Sequence, residues 1–251
     1  MDIIKKLAQE LAIKEEQAKA AVQLIDEGNT IPFIARYRKE MTGALNDETL
    51  RNLHERLLYL RNLEEKKEQV INAITDQGKM TEDLKKKILS AETLVAVDDL
   101  YRPYRPKKQT RATKAKEKGL EPLANILLLQ KTTKSMEEEA AAFVNAEKGV
   151  ANAKEAIAGA KDIIAEMIAD MADYRKSIRN CTMKQGSLVV KAKDEKAESV
   201  YEMYYDFREP LSKVTGYRVL AINRGEKEKF LTVKVEAPDV QIVNALNKTM
   251  V

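Results

Sequence analysis

Residues 46–78 constrain this chain most. Asn46 or Asp47 stands where a helix N-cap is expected and Gly78 where a helix stops. Between them Leu50, Leu53, Leu57 and Leu60 recur at the alternating three- and four-residue spacing of a coiled-coil seam, which Ile71 and Ile74 resume. Glu64 and Lys67 fall on the intervening seam positions. The spacing therefore predicts one long helix, packed at both ends and exposed, or paired differently, in its middle. His54 lies beside the leucine seam and reads as a partly buried imidazole rather than a catalytic one.

Composition extends the helical reading to most of the chain. Hydrophobic residues make up 44% and charged residues 33% of 251 residues, too apolar for disorder but charge-rich for a globule. Helices with one buried stripe and a salt-bridged outer face satisfy both numbers. Aromatics are only 5%, tryptophan is absent, and 9 glycines and 6 prolines provide little turn chemistry for sheet. The expected fold is mainly α and multi-helical, with a helix–turn–helix-like N-terminus, long helices, and a small antiparallel β-hairpin or sheet near the C-terminus. Two regions are expected: a helical one over 1–112, and a central one over 113–251 with a small α+β part, incomplete at its C-terminal end.

At the N-terminus, Ile3, Ile4, Leu7, Ala8 and Leu11 line one helical face and Ala18, Ala21, Val22 and Ile25 another, with a break at Ile13-Lys14. Such a pair could read a DNA major groove or be a generic helical hairpin. Thr30-Ile31-Pro32 opens a helix with Phe33, Ile34 and Tyr37 on one side and Arg36, Arg38 and Lys39 on the other. Further on, the Ala-rich stretch 152–179 reads as one long helix, in which Gly159 suggests a close helix crossing. After Gly186 the texture changes. Residues 188–190, 217–222 and 230–235 read as short strands, the last two joined by an Asn223-Arg224-Gly225 turn, and residues 197–206 as a short helix.

The most unusual segment is 100–118. Arg102, Arg105, Lys107, Lys108, Arg111, Lys114, Lys116 and Lys118 meet a single acid, Glu117. Pro103 and Pro106 place Arg102, Tyr104 and Arg105 on an extended loop, and Thr110 or Thr113 then caps a short helix ended by Gly119. Arg102, Arg105, Lys107, Lys108, Arg111 and Lys114 are candidate phosphate ligands, and Tyr104 or Tyr101 is available to stack on a base. The alternative is internal: the tyrosines anchor the loop and the arginines pair with Asp98, Asp99 or other acids.

Little points to catalysis, a cofactor or a metal. Cys181 and His54 are the only thiol and imidazole, no Gly-rich phosphate loop occurs, and the acids alternate with lysines along helix faces. Nothing at the N-terminus reads as a signal peptide, and no apolar run of about 18 residues occurs. A non-enzymatic, cytoplasmic chain without membrane contact is expected.

Four blocks, in order, resemble the Tex family of bacterial transcription accessory proteins: TIPFIARYRKEMTGALNDETL (30–50), DDLYRPYRPKKQTRATKAKEKGLEPLA (98–124), IAGAKDIIAE (157–166) and YRVLAINRGEKEKFL (217–231). The resemblance implies a larger layout: a helical N-terminal region, an RNase H-like domain, helix–hairpin–helix elements and an S1 RNA-binding domain. By that layout the chain is expected to be an N-terminal fragment. Its RNA or DNA partner would be held mainly through an S1 domain outside it, with segment 100–118 as a secondary contact. The other expected role is a non-catalytic scaffold that packs against the remaining domains or docks transcription machinery.

Overall fold

The computed structural model describes residues 2–106 and 108–250. The chain is mainly helical and divides into two compact units, Met1–Arg105 and Pro106–Val251. The first is organised by a 30-residue helix and contains α1 (Ile3–Glu10), α2 (Glu15–Asp26), α3 (Ile31–Tyr37), α4 (Asp47–Asp76), α5 (Glu82–Ser90) and α6 (Leu94–Tyr101). Asn46 caps α4 by accepting from the Thr49 N–H at 2.7 Å, Asp47 and Glu48 complement the dipole in its first turn, and Gly78 turns the chain at φ +66.

Helix α4 buries one face along its whole length, so of the two alternatives for its middle the structure shows different pairing rather than exposure. Leu50, Leu53, Leu57 and Leu60 meet Leu7, Ala18, Ala21, Leu24 and Ile34 from α1, α2 and α3. Leu63, Val70 and Ile74 then meet Ile88 of α5 and Val97 of α6. The buried face passes from Leu60 to Leu63 rather than to Glu64, a three-residue step that turns it toward the second set of partners. Lys67 stays on this face and is 2% exposed. Its ammonium donates to Glu64 Oε1 and to the Leu89 carbonyl, both at 2.9 Å. That carbonyl belongs to the last turn of α5, where helical oxygens lack intrahelical partners, so the lysine satisfies it.

The second unit contains α7 (Arg111–Glu117), α8 (Glu121–Leu129), α9 (Met136–Ala141), α10 (Ala153–Asp170), α11 (Ala172–Gln185), β1 (Ser187–Ala192), β2 (Asp206–Pro210), α12 (Gly216–Lys227), β3 (Leu231–Glu236) and α13 (Asp239–Met250). Small residues dominate its helical core: Ala112, Ala115, Ala124, Ala140, Ala156 and Ala160 pack with Leu120, Leu123 and Ile163. The single helix expected over 152–179 is broken. Met171 is extended, at φ −70 and ψ 117, so α10 ends at Asp170 and α11 begins at Ala172. An Ala-rich run has no local reason to stop there. The break lets α11 lie against the Leu211–Lys213 turn that follows β2.

Three antiparallel strands form the sheet, in the order β2-β1-β3, with Leu188 opposite Val235 and Val190 opposite Val233. Residues 188–190 and 230–235 thus form strands as expected, but they pair with each other. Residues 217–222 are not a strand: they lie in α12, as do Asn223, Arg224 and Gly225, so the expected hairpin does not exist. The helix wins because burial there is spaced by three. Ile222 and Gly225 face Leu231 and Tyr201, while Leu220 is 73% exposed. Gly225 is a close approach rather than a turn, since a Cβ there would lie 2.6 Å from Leu231 Cδ1. The helix expected over 197–206 is instead turns and a single 3-10 turn, Glu202–Tyr204, leading into β2. Among the described residues no helix is long and apolar enough to cross a membrane.

Two expectations follow for the first unit. Lys67→Ala removes a buried stem and leaves the Leu89 carbonyl unpaired, so stability in urea should fall by about 2–4 kcal/mol. Lys67→Met should cost less, because it keeps the stem. Circular dichroism through the denaturant transition reads both, and an unchanged midpoint for the alanine variant would contradict the role given to Lys67.

The second expectation concerns acid. Hydrogen bonds from Arg56 hold the Glu10 carboxyl below its usual range, and those from Arg61, at 2.7 Å, do the same for Asp26. Because both folded-state values lie below the unfolded ones, this stabilisation is complete above about pH 5 and is lost as pH falls through the lowered values. Both pairs are partly solvated, so each contributes at most about 1 kcal/mol. The double variant Arg56→Gln/Arg61→Gln should lose stability at neutral pH and show a shallower decline on acidification than the parent, read by urea melts from neutral to acid pH.

Candidate nucleic-acid interface

The sequence-predicted site divides at the boundary between the two units. In the first, Thr93 caps α6 by accepting from the Ala96 N–H at 3.2 Å, and the Leu94 N–H donates to the Tyr59 hydroxyl at 3.2 Å. The chain does not leave α6 as an extended loop. Arg102, Pro103 and Tyr104 form a 3-10 turn directly on its end, where a proline in the first turn sacrifices no needed N–H. Extended backbone begins only at Arg105.

This turn sends the aromatic rings inward. Tyr101 and Tyr104 pack against the cluster of Leu63, Val70, Ile74, Ile88 and Val97, and the Tyr104 carbonyl accepts from Gln77 Nε2 at 3.0 Å. Arg105 donates to Asp98 Oδ1 at 2.9 Å and lies 5.5 Å from the centre of the Tyr101 ring. Lys66 also approaches Asp98, at 3.7 Å. Tyr104 and Arg105 are thus engaged with their own unit, and Arg102 is exposed. Of the two neighbouring carboxylates, Asp98 faces these cations and Asp99 is buried.

In the second unit the cations face outward. Lys107 lies outside the described residues, and Lys108 is exposed. The Thr110 hydroxyl accepts from the Thr113 N–H at 3.0 Å and donates to Glu166 Oε1 of α10 at 3.0 Å, so one side chain both starts α7 and ties it to its neighbour. Ala112 and Ala115 are buried against α10. That face holds Arg111 and Lys114 on the other side. Arg111 has an 87% exposed side chain and only a long contact to Asp162, at 3.6 Å. Among the described residues, no carboxylate lies within ion-pair distance of Lys108 or Lys114. Lys116 pairs with Glu121 at 3.3 Å, and Lys118 donates to the Gly149 carbonyl at 2.7 Å.

Structure therefore brings Lys108, Arg111 and Lys114 to one exposed surface of one unit and seats Arg102, Tyr104 and Arg105 on the other. Chemically, Lys108 and Lys114 offer donors without a carboxylate partner among the described residues, and Arg111 one held only by a long contact to Asp162. A feature that the sequence did not signal lies elsewhere on the second unit: an apolar cleft of about 640 Å³ between α10 and α11, lined by Ile168, Ile178, Met183, Leu211 and Val235, with Arg175 and Arg179. Reading 152–179 as one helix hid it, because the cleft exists only through the break at Met171.

Comparison with known proteins covers almost the whole chain. Residues 1–75 match the family model of the Tex-like protein N-terminal domain, and residues 131–250 match that of the Tex central region-like family. The candidate interface falls between these two segments. Uncharacterized protein YdcI of Bacillus subtilis is 43% identical over 98% of this chain and 34% of its own length. Transcriptional accessory protein Tex of Neisseria gonorrhoeae is 41% identical over 94% of the chain and 31% of its own length. Human S1 RNA-binding domain-containing protein 1 is 33% identical over 95% of the chain and 24% of its own length. The chain spans about a third or less of these relatives.

The seating of α7 is testable at Gly159. A Cβ there would lie 2.4 Å from Leu120 Cδ1 and 3.2 Å from Ala115 Cβ, and Leu120 is fully buried. Gly159→Ala should destabilise the second unit by roughly 0.5–2 kcal/mol, overpacking outweighing the better helix propensity of alanine. A thermal melt that rises instead would show that α7 and α10 have room to spare.

Proposed function

We propose, from the premise that the chain belongs to the Tex family through its N-terminal and central segments, that it contributes non-catalytic nucleic-acid contacts within a cytoplasmic transcription accessory protein. The observation that carries this reading is the outward surface of α7 and its cap: Lys108 and Lys114 without a carboxylate partner among the described residues, and Arg111 held only loosely. Cations left unneutralised beside a rigid, capped helix can release the counterions of a phosphate backbone at little cost in ordering. Relatives described as a transcriptional accessory protein and as an S1 RNA-binding domain-containing protein support RNA or DNA as the partner. The non-enzymatic part of the proposal draws on the placement of His54, half-buried in the first half of α4.

A scaffold role is the second reading, favoured by the apolar cleft between α10 and α11. The two separate in one measurement. Fluorescence anisotropy with labelled RNA and DNA should show binding that weakens steeply with salt. The triple variant Lys108→Gln/Arg111→Gln/Lys114→Gln should reduce the log–log salt slope by about two to three. A parent chain that binds neither polymer at low salt defeats the nucleic-acid reading and leaves the cleft as the working surface.

A further inference from the structure

The first unit carries an exposed aromatic and basic patch that segment 100–118 does not include. Of the apolar side of α3, only Ile34 is buried. Phe33 is exposed and Tyr37 is 66% exposed, which departs from a helix that packs its whole apolar stripe. The two rings are 5.3 Å apart, and the Arg38 guanidinium lies 5.1 Å from the centre of the Phe33 ring. Beyond them Met41 is exposed as well. Tyr37, Arg38 and Met41 line an open cleft of about 680 Å³, together with Arg36 and Lys39.

The turn that follows α3 is held by several hydrogen bonds. Thr42 is fully buried, with its N–H on the Arg38 carbonyl at 3.2 Å, and the Ala44 N–H reaches the Lys39 carbonyl at 2.7 Å. Gln17 Nε2 donates to the Thr42 and Gly43 carbonyls at 3.2 and 2.9 Å. Gly43 and Ala44 are both left-handed, at φ +60, a conformation that a residue with a Cβ seldom holds. Held this way, the turn keeps Met41 exposed just beyond the two rings of α3.

Charge selects the partner. Arg36 and Lys39 have no carboxylate within ion-pair distance among the described residues. Two carboxylates, Glu27 and Glu40, also line the cleft, against the three cations Arg36, Arg38 and Lys39, so the cations outnumber the acids. An exposed ring flanked by unpaired cations fits a ligand with both a flat face and an anionic backbone. We infer that Tyr37 and Phe33, with Arg36, Arg38 and Lys39, form a base-stacking site for single-stranded nucleic acid. This rests on the nucleic-acid reading above and adds to it a second, separate site and a preference for unpaired strands.

The test uses the whole chain with labelled oligo(U), oligo(dT) and a duplex DNA of the same length. Tyr37→Ala should weaken single-strand binding by about 5- to 150-fold, the range of one lost base stack, and leave duplex binding and the salt slope unchanged. Tyr37→Phe should retain binding. Because the chain contains no tryptophan, Tyr37→Trp gives a single indole, excited apart from the tyrosines, whose emission a stacked base quenches. The side chain is largely solvated, so these variants should melt as the parent does. If the parent binds and Tyr37→Ala stays within about twofold of it, the stacking site is wrong while the broader nucleic-acid reading survives. If the parent binds no oligonucleotide at low salt, the broader reading fails and this one with it.

Discussion

One helix face serves two sets of partners in the first unit, and the rest of that unit is arranged around it. Over its first half α4 is covered by α1, α2 and α3, and over its second by α5 and α6. A straight helix cannot present an unchanged stripe to both, so the buried face shifts at the step from Leu60 to Leu63. Lys67 occupies the second half of that face. A buried ammonium is tolerable only when its donors are used, and here Glu64 and the end of α5 use them. The lysine thus joins two helices where a leucine would only fill space.

The second unit is governed by the absence of side-chain bulk. Gly159, with Ala156, Ala160, Ala112 and Ala115, brings α7 and α10 close together, and Gly225 does the same for α12 and β3. Close approach determines which way the charged residues point. With one face of α7 committed to α10, Arg111 and Lys114 have only solvent left. The candidate phosphate contacts are therefore a product of packing, and their exposure depends on a glycine that touches no ligand.

Much of this was legible because the signals were local. Asn46, Thr110 and Gly78 mark helix ends through local backbone geometry and hydrogen bonds that reach three residues. Gly159 read as a helix crossing, and it is one. Where the sequence misled, a distant residue made the decision. Residues 217–222 look like a strand until Tyr201 and Leu231 are placed against Ile222 and Gly225. Pro103 looks like a helix breaker, yet it falls in the first turn of a 3-10 extension, where its missing N–H is not needed. Lys67 reads as exposed or differently paired, and only the Leu89 carbonyl arriving from α5 decides between the two.

The candidate site shows the same division. Sequence alone determined a mainly helical chain, the limits of most of its helices, the family and the concentration of cations at 100–118, because each rests on residue identity and short-range spacing. It left those cations balanced between phosphate binding and internal pairing. Tertiary structure separated them: Arg105 meets Asp98 and the tyrosines enter the core, while Lys108, Arg111 and Lys114 are turned to solvent. The reason is physical. Whether a charge is satisfied depends on which residues fold back to within a few ångströms of it, and no spacing along the chain specifies that.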